Sequence, residues 1–408
     1  MSRIVLGVAG GIAAYKSCEV LRRLREGGHD VTVVPTPNAL RFVGRTTWEA
    51  LSGRPVSTSV FDSVTDVAHV RIGQEADLVV VAPATADILA RAAGGRADDL
   101  LANVLLTTGA PVLFVPAMHT EMWLHPATRA TVETLRSRGA LIMDPAHGRL
   151  TGADSGPGRL PEPEEIVEVA TAVLNDAAAV TAVRARDLTG RRVVVSAGGT
   201  REPLDPVRFL GNASSGRQGI ALAQAARLRG AQVTLVVGQI SHPEPSGVEL
   251  VRVDTTAALQ QAMRAAAIDA DALVMAAAPA DFTPGAAAGQ KLSKDGAAGL
   301  DLHLVQTPDV LAGLSHDRLR SQVIVGFAAE TAADPAELEQ RGRAKLARKG
   351  CDLLVCNNVS GGAVFGSSDN DVIILDSDRV VARASGSKAT IAHRIWDAVL
   401  ASEGGSTS

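Results

Sequence analysis

The chain has 408 residues with a formal charge of -4, too long for one ordinary hydrophobic core, so two domains are the simplest expectation. Only 3% of its residues are aromatic and no Lys/Arg-rich run occurs, which excludes a nucleic-acid surface or a base-stacking platform and leaves small molecules as partners. Cys18, Cys351 and Cys356 form no CxxC pair and the nine histidines show no HExxH spacing, which excludes a disulfide scaffold and a cysteine-rich zinc site and fits a reducing compartment.

The opening MSRIVLGVAGG has too short an apolar run for a signal peptide, and no stretch approaches the roughly 18 uninterrupted apolar residues of a membrane span. A cytoplasmic, membrane-free protein is expected. Ile4 to Ala9 read as a strand, Gly10 and Gly11 as a turn, and IAAYKSCEVLRRLREGG as a helix by its apolar spacing. Val31 to Val34 read as the next strand. This βαβ unit carries no GxGxxG, so a dinucleotide is not indicated, but a glycine pair at a helix N-terminus can hold a single phosphate. His69 falls at an element edge before the strand Leu78 to Val81, where an imidazole can titrate; on its own it reads as a surface histidine sooner than as a catalytic one. Leu113 to Val115 and Leu141 to Met143 are further short strands. After them comes a glycine-rich loop with Arg159 as its fixed charge, a composition suited to a lid. Ile166 to Leu174 read as a closing helix, and AAAVTAVRARDLTG lacks a core pattern, which places a linker and a boundary near Thr189.

In the second half, Val193 to Val195 read as a strand buried on both faces, and Gly198 and Gly199 let the backbone turn sharply beside Thr200. Pro203 and Pro206 delay the next helix until Ser214 and Ser215 offer N-cap oxygens. Gly216 and Gly219 each weaken that helix by about 1 kcal/mol relative to alanine, a sensible cost if its first N–H groups must approach an anion. Val233 to Val237 and Leu273 to Ala276 are further strands. The second ends in AAAPADF, where Asp281 suits magnesium, a nucleotide, or simply a turn cap. Lys291 and Lys294 are the main positive charges of a loop of low pattern, and Lys345 and Lys349 share one helix face. Cys351 and Cys356 read as buried small residues. Strands alternating with helices in both halves predict two doubly wound α/β sheets.

The stretch AGGTREPLDPVRFLGNASSGRQG closely resembles the signature of the phosphopantothenate-cysteine ligase half of the bifunctional bacterial enzymes of coenzyme A biosynthesis. The other half of that family is a flavin-dependent phosphopantothenoylcysteine decarboxylase, and HVRIGQEADLVVVAPATAD, PAMHTEMW and GPGR resemble its blocks. The resemblance implies two Rossmann-like domains: a flavodoxin-like FMN-binding domain over 1–189 and a nucleotide-binding ligase over 190–402, with a disordered tail at 403–408. It places the FMN phosphate and ribityl chain at Gly10, Gly11 and Thr36 and the flavin near Ala82, Thr85 and Asp87. His69 becomes the base or proton carrier, and Met118, His119, Gly152 and Arg159 the substrate clamp.

For the ligase it implies CTP at Gly199, Ser214, Ser215, Gly216, Asp281, Lys291, Lys294, Asp309, Phe327, Lys345 and Lys349. Magnesium falls at Asp281, and Asn212 steadies an acyl-cytidylate. The partners are then CTP, 4'-phosphopantothenate and cysteine, in a homo-oligomer of trimeric flavoprotein halves and dimeric ligase halves. Four positions depart from the family pattern: Asp98 and His119 replace asparagines, Ser293 a lysine, and Gly152 the cysteine that completes the final reduction. An NAD(P) oxidoreductase and a regulatory flavoprotein without the decarboxylation step are the alternatives, and CTP against ATP stays open.

Overall fold

The computed structural model describes residues 1–61, 67–150, 154–293, 300–318, 320–359 and 369–404. It divides into two compact units, residues 1–187 with 245–247 and residues 188–244 with 248–408.

In the first unit the strands β1 (Arg3–Val8), β2 (Asp30–Pro35), β3 (Leu78–Ala84), β4 (Val112–Pro116) and β5 (Leu141–Ile142) lie in the order β2-β1-β3-β4-β5, every pair parallel. This is the flavodoxin-like order, and its chain reversal opens a crevice at the carboxyl ends of β1 and β3. A parallel sheet covered on both faces demands unbroken apolar strands, and all seven residues of β3 are buried. The helix Ala14–Glu26 lays Ala14, Ser17, Val20, Leu21 and Leu24 inward at helical spacing. Ser17 is tolerated on that stripe because its hydroxyl donates to the Ala82 carbonyl at 2.6 Å.

The segment expected to be a linker without a core pattern is instead a helix, Ala177–Ala185, burying Ala179, Val180 and Val183. Asp176 caps it by accepting from the Ala179 N–H at 3.0 Å. Nine residues, seven of them alanine or valine, give too short a pattern to read, and the cap that decides the matter is one side chain.

In the second unit β6 (Arg192–Ala197), β7 (Gln232–Val237), β8 (Glu249–Arg252), β9 (Ala272–Met275), β10 (Val323–Glu330), β11 (Leu353–Asn358), β12 (Asp369–Leu375) and β13 (Val380–Ser387) form one sheet in the order β8-β7-β6-β9-β10-β11-β12-β13. The first six in sequence are parallel; β12 and β13 pair antiparallel at the end. The order begins as in dinucleotide folds, with its reversal between β6 and β9. Val193 and Val195 of β6 join one core layer with Trp396, whereas Val194 joins the other with Met263 and Leu311. Each fully buried valine contributes roughly 1.5–3 kcal/mol, which is why this strand admits no polar face. Cys351 and Cys356 are buried in the second layer, and burial pushes their thiols up to about 11 and about 12. Residues 403 and 404, expected in a disordered tail, are helical. The last helix runs to Gly404 with Glu403 ion-paired to Arg191, and 405–408 lie outside the described residues.

Candidate active sites

In the first unit a cavity of about 1090 Å³ opens at the carboxyl ends of the strands, lined by Gly10, Gly11, Thr36, Thr85, Asp87, Met118, His119 and Arg159 among others. Sequence reasoning placed all eight at a flavin or substrate site, and the fold brings them to one cavity. Gly10 is required by packing, since a Cβ there would stand 2.5 Å from Asn38 Cβ. The helix after the glycine turn has no side-chain cap, although its Ala14 and Lys16 N–H groups donate to the Gly11 and Ala13 carbonyls at 3.0 Å, and the positive end of its dipole still favours an anion there. The Thr36 hydroxyl accepts from the Ala39 N–H at 3.2 Å, and the Thr85 hydroxyl caps the helix Ala86–Gly94.

Two expected residues stand elsewhere. Ala82 is fully buried in β3 with its carbonyl taken by Ser17; Pro83, across a cis bond, lines the cavity instead. His69, the second residue of the helix Ala68–Glu75, is not among the lining residues. Its carbonyl accepts from the Thr107 hydroxyl at 2.9 Å, and its Nδ1 is buried without a hydrogen-bond partner among the described residues. Gly152 lies outside the described residues.

The two clamp segments meet. A short hairpin, Ala146–Arg149 with Ser155–Arg159, lies against the PAMHT turn, and the Met118 N–H donates to the Gly158 carbonyl at 2.9 Å. A Cβ on Gly158 would overlap the Met118 carbonyl oxygen, and one on Gly156 would overlap the Thr120 hydroxyl. The glycines of GPGR are therefore contact residues between the segments. His119, half-exposed, precedes the helix Thr120–Leu124 with its Nδ1 3.9 Å from a Glu121 oxygen.

The cavity's charges were only partly foreseen. Arg91 is almost completely buried and joins Asp87 at 3.0 Å, Asp98 at 2.6 Å and Asp99 at 2.8 Å. The Arg91 hydrogen bond holds the Asp98 carboxyl below its usual value, while burial of Arg91 is outweighed by its carboxylates, which raise its own pKa. The i, i+4 spacing of Asp87 and Arg91 was the available signal. Lys16, one turn into the first helix, also lines the cavity; its place behind a phosphate-type turn could have marked it.

In the second unit the loop after β6 is bound by backbone contacts. Gly198 has φ +82°, and Gly199 bridges to both Gln239 and Ala278. Ser214 and Ser215 do not cap the following helix Arg217–Leu228. Its N-cap is Gly216, left-handed at φ 76°, and the Ser214 hydroxyl accepts from the Gly216 N–H at 3.3 Å. A Cβ on Gly219 would stand 2.5 Å from Ala197 Cβ and 2.7 Å from the Ser196 oxygen. Gly219 thus serves close helix–strand packing rather than approach to an anion, one of the separate tasks glycines perform in such loops.

Asn212 donates to the Pro279 carbonyl at 2.9 Å and the Ala278 carbonyl at 3.4 Å. Asp281 sits two residues beyond Pro279 with its side chain exposed. Asp309 caps the helix Val310–His316 and pairs with Lys349. Lys345 pairs with Glu330 at 2.9 Å, so neither lysine is the plain solvated face that spacing alone suggested. Phe327 is half-buried on β10 against the core. Lys291 is exposed and Lys294 lies outside the described residues. Among the described residues no group of three or more His, Cys, Asp or Glu is placed to hold a metal.

Residues 188–402 match the family described as DNA/pantothenate metabolism flavoprotein C-terminal domain, and residues 1–175 match the family described as Flavoprotein. The Coenzyme A biosynthesis bifunctional protein CoaBC of Mycolicibacterium smegmatis (strain ATCC 700084 / mc(2)155) is 55% identical over 406 residues, covering 98% of this chain and 97% of its own. That of Escherichia coli (strain K12) is 41% identical over 386 residues, covering 93% and 92%. The crystal structure of the C-terminal domain of a CoaBC protein is 29% identical, covers 52% of this chain and 96% of its own, and has a TM-score of 0.44.

Proposed function

This chain belongs to the family of bifunctional coenzyme A biosynthesis proteins, and from that premise we propose how its residues divide the work. The enzyme has a flavoprotein decarboxylase half and a ligase half. In the ligase half, CTP activates the carboxylate of 4'-phosphopantothenate: the carboxylate oxygen attacks the α-phosphorus, pyrophosphate leaves, and an acyl-cytidylate forms. The amine of cysteine then attacks the acyl carbon and cytidine monophosphate leaves. Gly199, Ser214, Ser215 and Gly216 form the nucleotide loop, and Lys291, with Lys345 and Lys349 once released from their carboxylates, offsets triphosphate charge. Asp281, which is exposed, would hold a magnesium ion, and that ion would offset phosphate charge as pyrophosphate leaves. Asn212 ties the loop to the carbonyls at 278 and 279 and thereby fixes where the acyl group lies.

In the decarboxylase half, the glycine turn, the uncapped helix start and a cavity of about 1090 Å³ fit FMN, whose phosphate would be held at Gly10, Gly11 and Thr36 and whose ring system would lie towards Thr85 and Asp87. When bound, the flavin supplies reversible two-electron oxidation of the substrate thiol, which makes the neighbouring carboxylate a good leaving group. Arg159 and His119 bind that carboxylate. His119 then gives a proton to the decarboxylated carbon, a role open to an imidazolium and closed to Gly152, which has no thiol to offer. His69 is the second proton carrier. It does not line the cavity of its own chain, and Ile12, Tyr15 and Met122 at the cavity are exposed, so a second copy covers this face and His69 serves a neighbouring copy's substrate. That is the trimeric arrangement of the flavoprotein halves; the ligase halves pair as dimers. The enzyme works in the cytoplasm.

The carrying observation is the meeting of the PAMHT and GPGR segments over a cavity at the sheet's switch point. FMN-loaded protein given 4'-phosphopantothenate, cysteine and CTP should release pyrophosphate and then an equal amount of CO2. Pyrophosphate without CO2 would remove the decarboxylase from the reading and leave a ligase joined to a non-catalytic flavoprotein.

A further inference from the structure

Lys16 and Arg159 line the same cavity from distant parts of the sequence, and a single carboxylate joins them. Lys16 Nζ donates to both oxygens of Glu162 at 3.0 and 3.1 Å, and Arg159 donates to Glu162 Oε1. Among the described residues neither cation has another carboxylate partner. Lys16 is only 15% exposed and Glu162 34%, so the pair is partly shielded from water and its geometry is held. Burial would raise the Glu162 carboxyl, yet the hydrogen bonds from Lys16 and Arg159 outweigh it and keep the group below its usual value, charged at any working pH.

The three groups differ in their mounting. Glu162 leads into the helix Pro163–Asn175, whose Ile166, Val169 and Ala170 are in the core, and Lys16 stands on another core helix. Arg159 ends the second hairpin strand, on a long side chain with many rotamers. A fixed carboxylate behind a guanidinium removes that freedom and leaves its other N–H groups for a ligand. Two cations and one anion leave a net single positive charge, the complement of one carboxylate.

We propose that Glu162 is a positioning residue for decarboxylation: it fixes Arg159 towards the substrate carboxylate and withholds Lys16 from it, so that the cavity binds the carboxylated substrate and lets the decarboxylated product go. The inference rests on Arg159 being part of the substrate clamp. Once CO2 has left, the net charge has no partner in the product, and release is favoured.

The test uses full-length FMN-loaded protein and two probes without a thiol, which cannot turn over: phosphopantothenoylalanine, which keeps the carboxylate, and its decarboxylated ethylamide. Calorimetric titration should show the wild type preferring the alanine probe. Glu162→Gln should weaken that probe about ten- to a hundredfold and leave the ethylamide unchanged, the size of one charge-assisted hydrogen bond. Glu162→Asp, one methylene too short to reach both cations, should do the same, and serves if the glutamine variant does not fold. In an Arg159→Ala background, Glu162→Gln should add less than about twofold, because the carboxylate acts through the guanidinium. If Arg159→Ala weakens the alanine probe while both Glu162 variants bind it as well as wild type or better, Glu162 does not position Arg159 and the inference falls, with the clamp intact. If Arg159→Ala itself changes nothing, the clamp reading falls first.

Discussion

Gly158→Ala tests whether the two clamp segments must touch for decarboxylation. The backbone at Gly158 is not left-handed, so alanine meets no conformational penalty of its own. The cost is contact: the new Cβ overlaps the Met118 carbonyl oxygen, with the Met118 carbonyl carbon and the Thr120 nitrogen both at 3.3 Å. Backbone atoms cannot rotate away, so the hairpin must lift off the PAMHT turn and the 2.9 Å bond from the Met118 N–H to the Gly158 carbonyl is lost. Overpacking costs about 1–3 kcal/mol and a backbone hydrogen bond about 0.5–1.5 kcal/mol. Together, about 3 kcal/mol shifts the closed clamp towards open by roughly a hundredfold, which kcat/KM should report. The assay is CO2 release from phosphopantothenoylcysteine, with pyrophosphate release followed in the same preparation; the latter should be unchanged, because Gly158 belongs to the first unit alone. Gly109→Ala is the control, having nothing within 4 Å of the added carbon. Wild-type kcat/KM for CO2 release by Gly158→Ala would refute the idea that the clamp acts through this contact.

His69→Asn should leave flavin bound and pyrophosphate release intact while abolishing CO2 release; equal loss of both activities would sink the two-site reading. Gly219→Ala should reduce ligation and lower the thermal midpoint together, since its Cβ would stand 2.5 Å from Ala197 Cβ; a loss of CTP binding with an unchanged midpoint would restore the anion role. Asn212→Asp sets a carboxylate against the carbonyls of residues 278 and 279, so acyl-cytidylate formation as well as cysteine transfer should slow, and normal pyrophosphate release would show the tie to be dispensable. Burial raises the folded-state pKa of Cys351 and Cys356 from 9.0 to about 11 and about 12; their share of stability is complete below the unfolded value and lost as pH rises through the folded ones. Denaturation midpoints should therefore fall through that alkaline window less steeply in Cys351→Ala/Cys356→Ala, and an unchanged slope would show that the thiols ionise freely.

The sheets were legible because parallel strands buried on both faces must be runs of Val, Ile and Leu, and Val79 to Val81 and Val193 to Val195 carry nothing else. Helices were legible where a stripe repeats over several turns, as in Ala14–Glu26, and illegible where the stripe is brief, as in Ala177–Ala185, which depends on the Asp176 cap. Glycines were found but their tasks were not. Gly10, Gly11, Gly216 and Gly219 all looked like room for phosphate. Whether a missing Cβ admits a ligand or a neighbouring backbone depends on which strand stands behind it, and that is a property of the fold.

The charged residues of the sites were legible only one at a time, and this limit has a physical cause. Lys16, Asp98, Arg91 and Glu162 act as partners across 7 to 146 positions of sequence, and a single sequence gives each charge but not its counter-charge. Asp98 in place of an asparagine reads alone as an amide lost; beside Arg91 at 2.6 Å it is one of three carboxylates on a nearly buried guanidinium that also holds Asp87 and Asp99. Lys345 and Lys349 read alone as a solvated helix face, and by the family resemblance as cations for a triphosphate, yet each is held by a carboxylate, Glu330 and Asp309. A lysine held that way binds phosphate only by exchanging partners, so its affinity for nucleotide is the difference between two ion pairs rather than the strength of one. The same reasoning makes Glu162 more than a surface acid: the charge that a site offers its ligand is what remains after the protein's own pairs have formed.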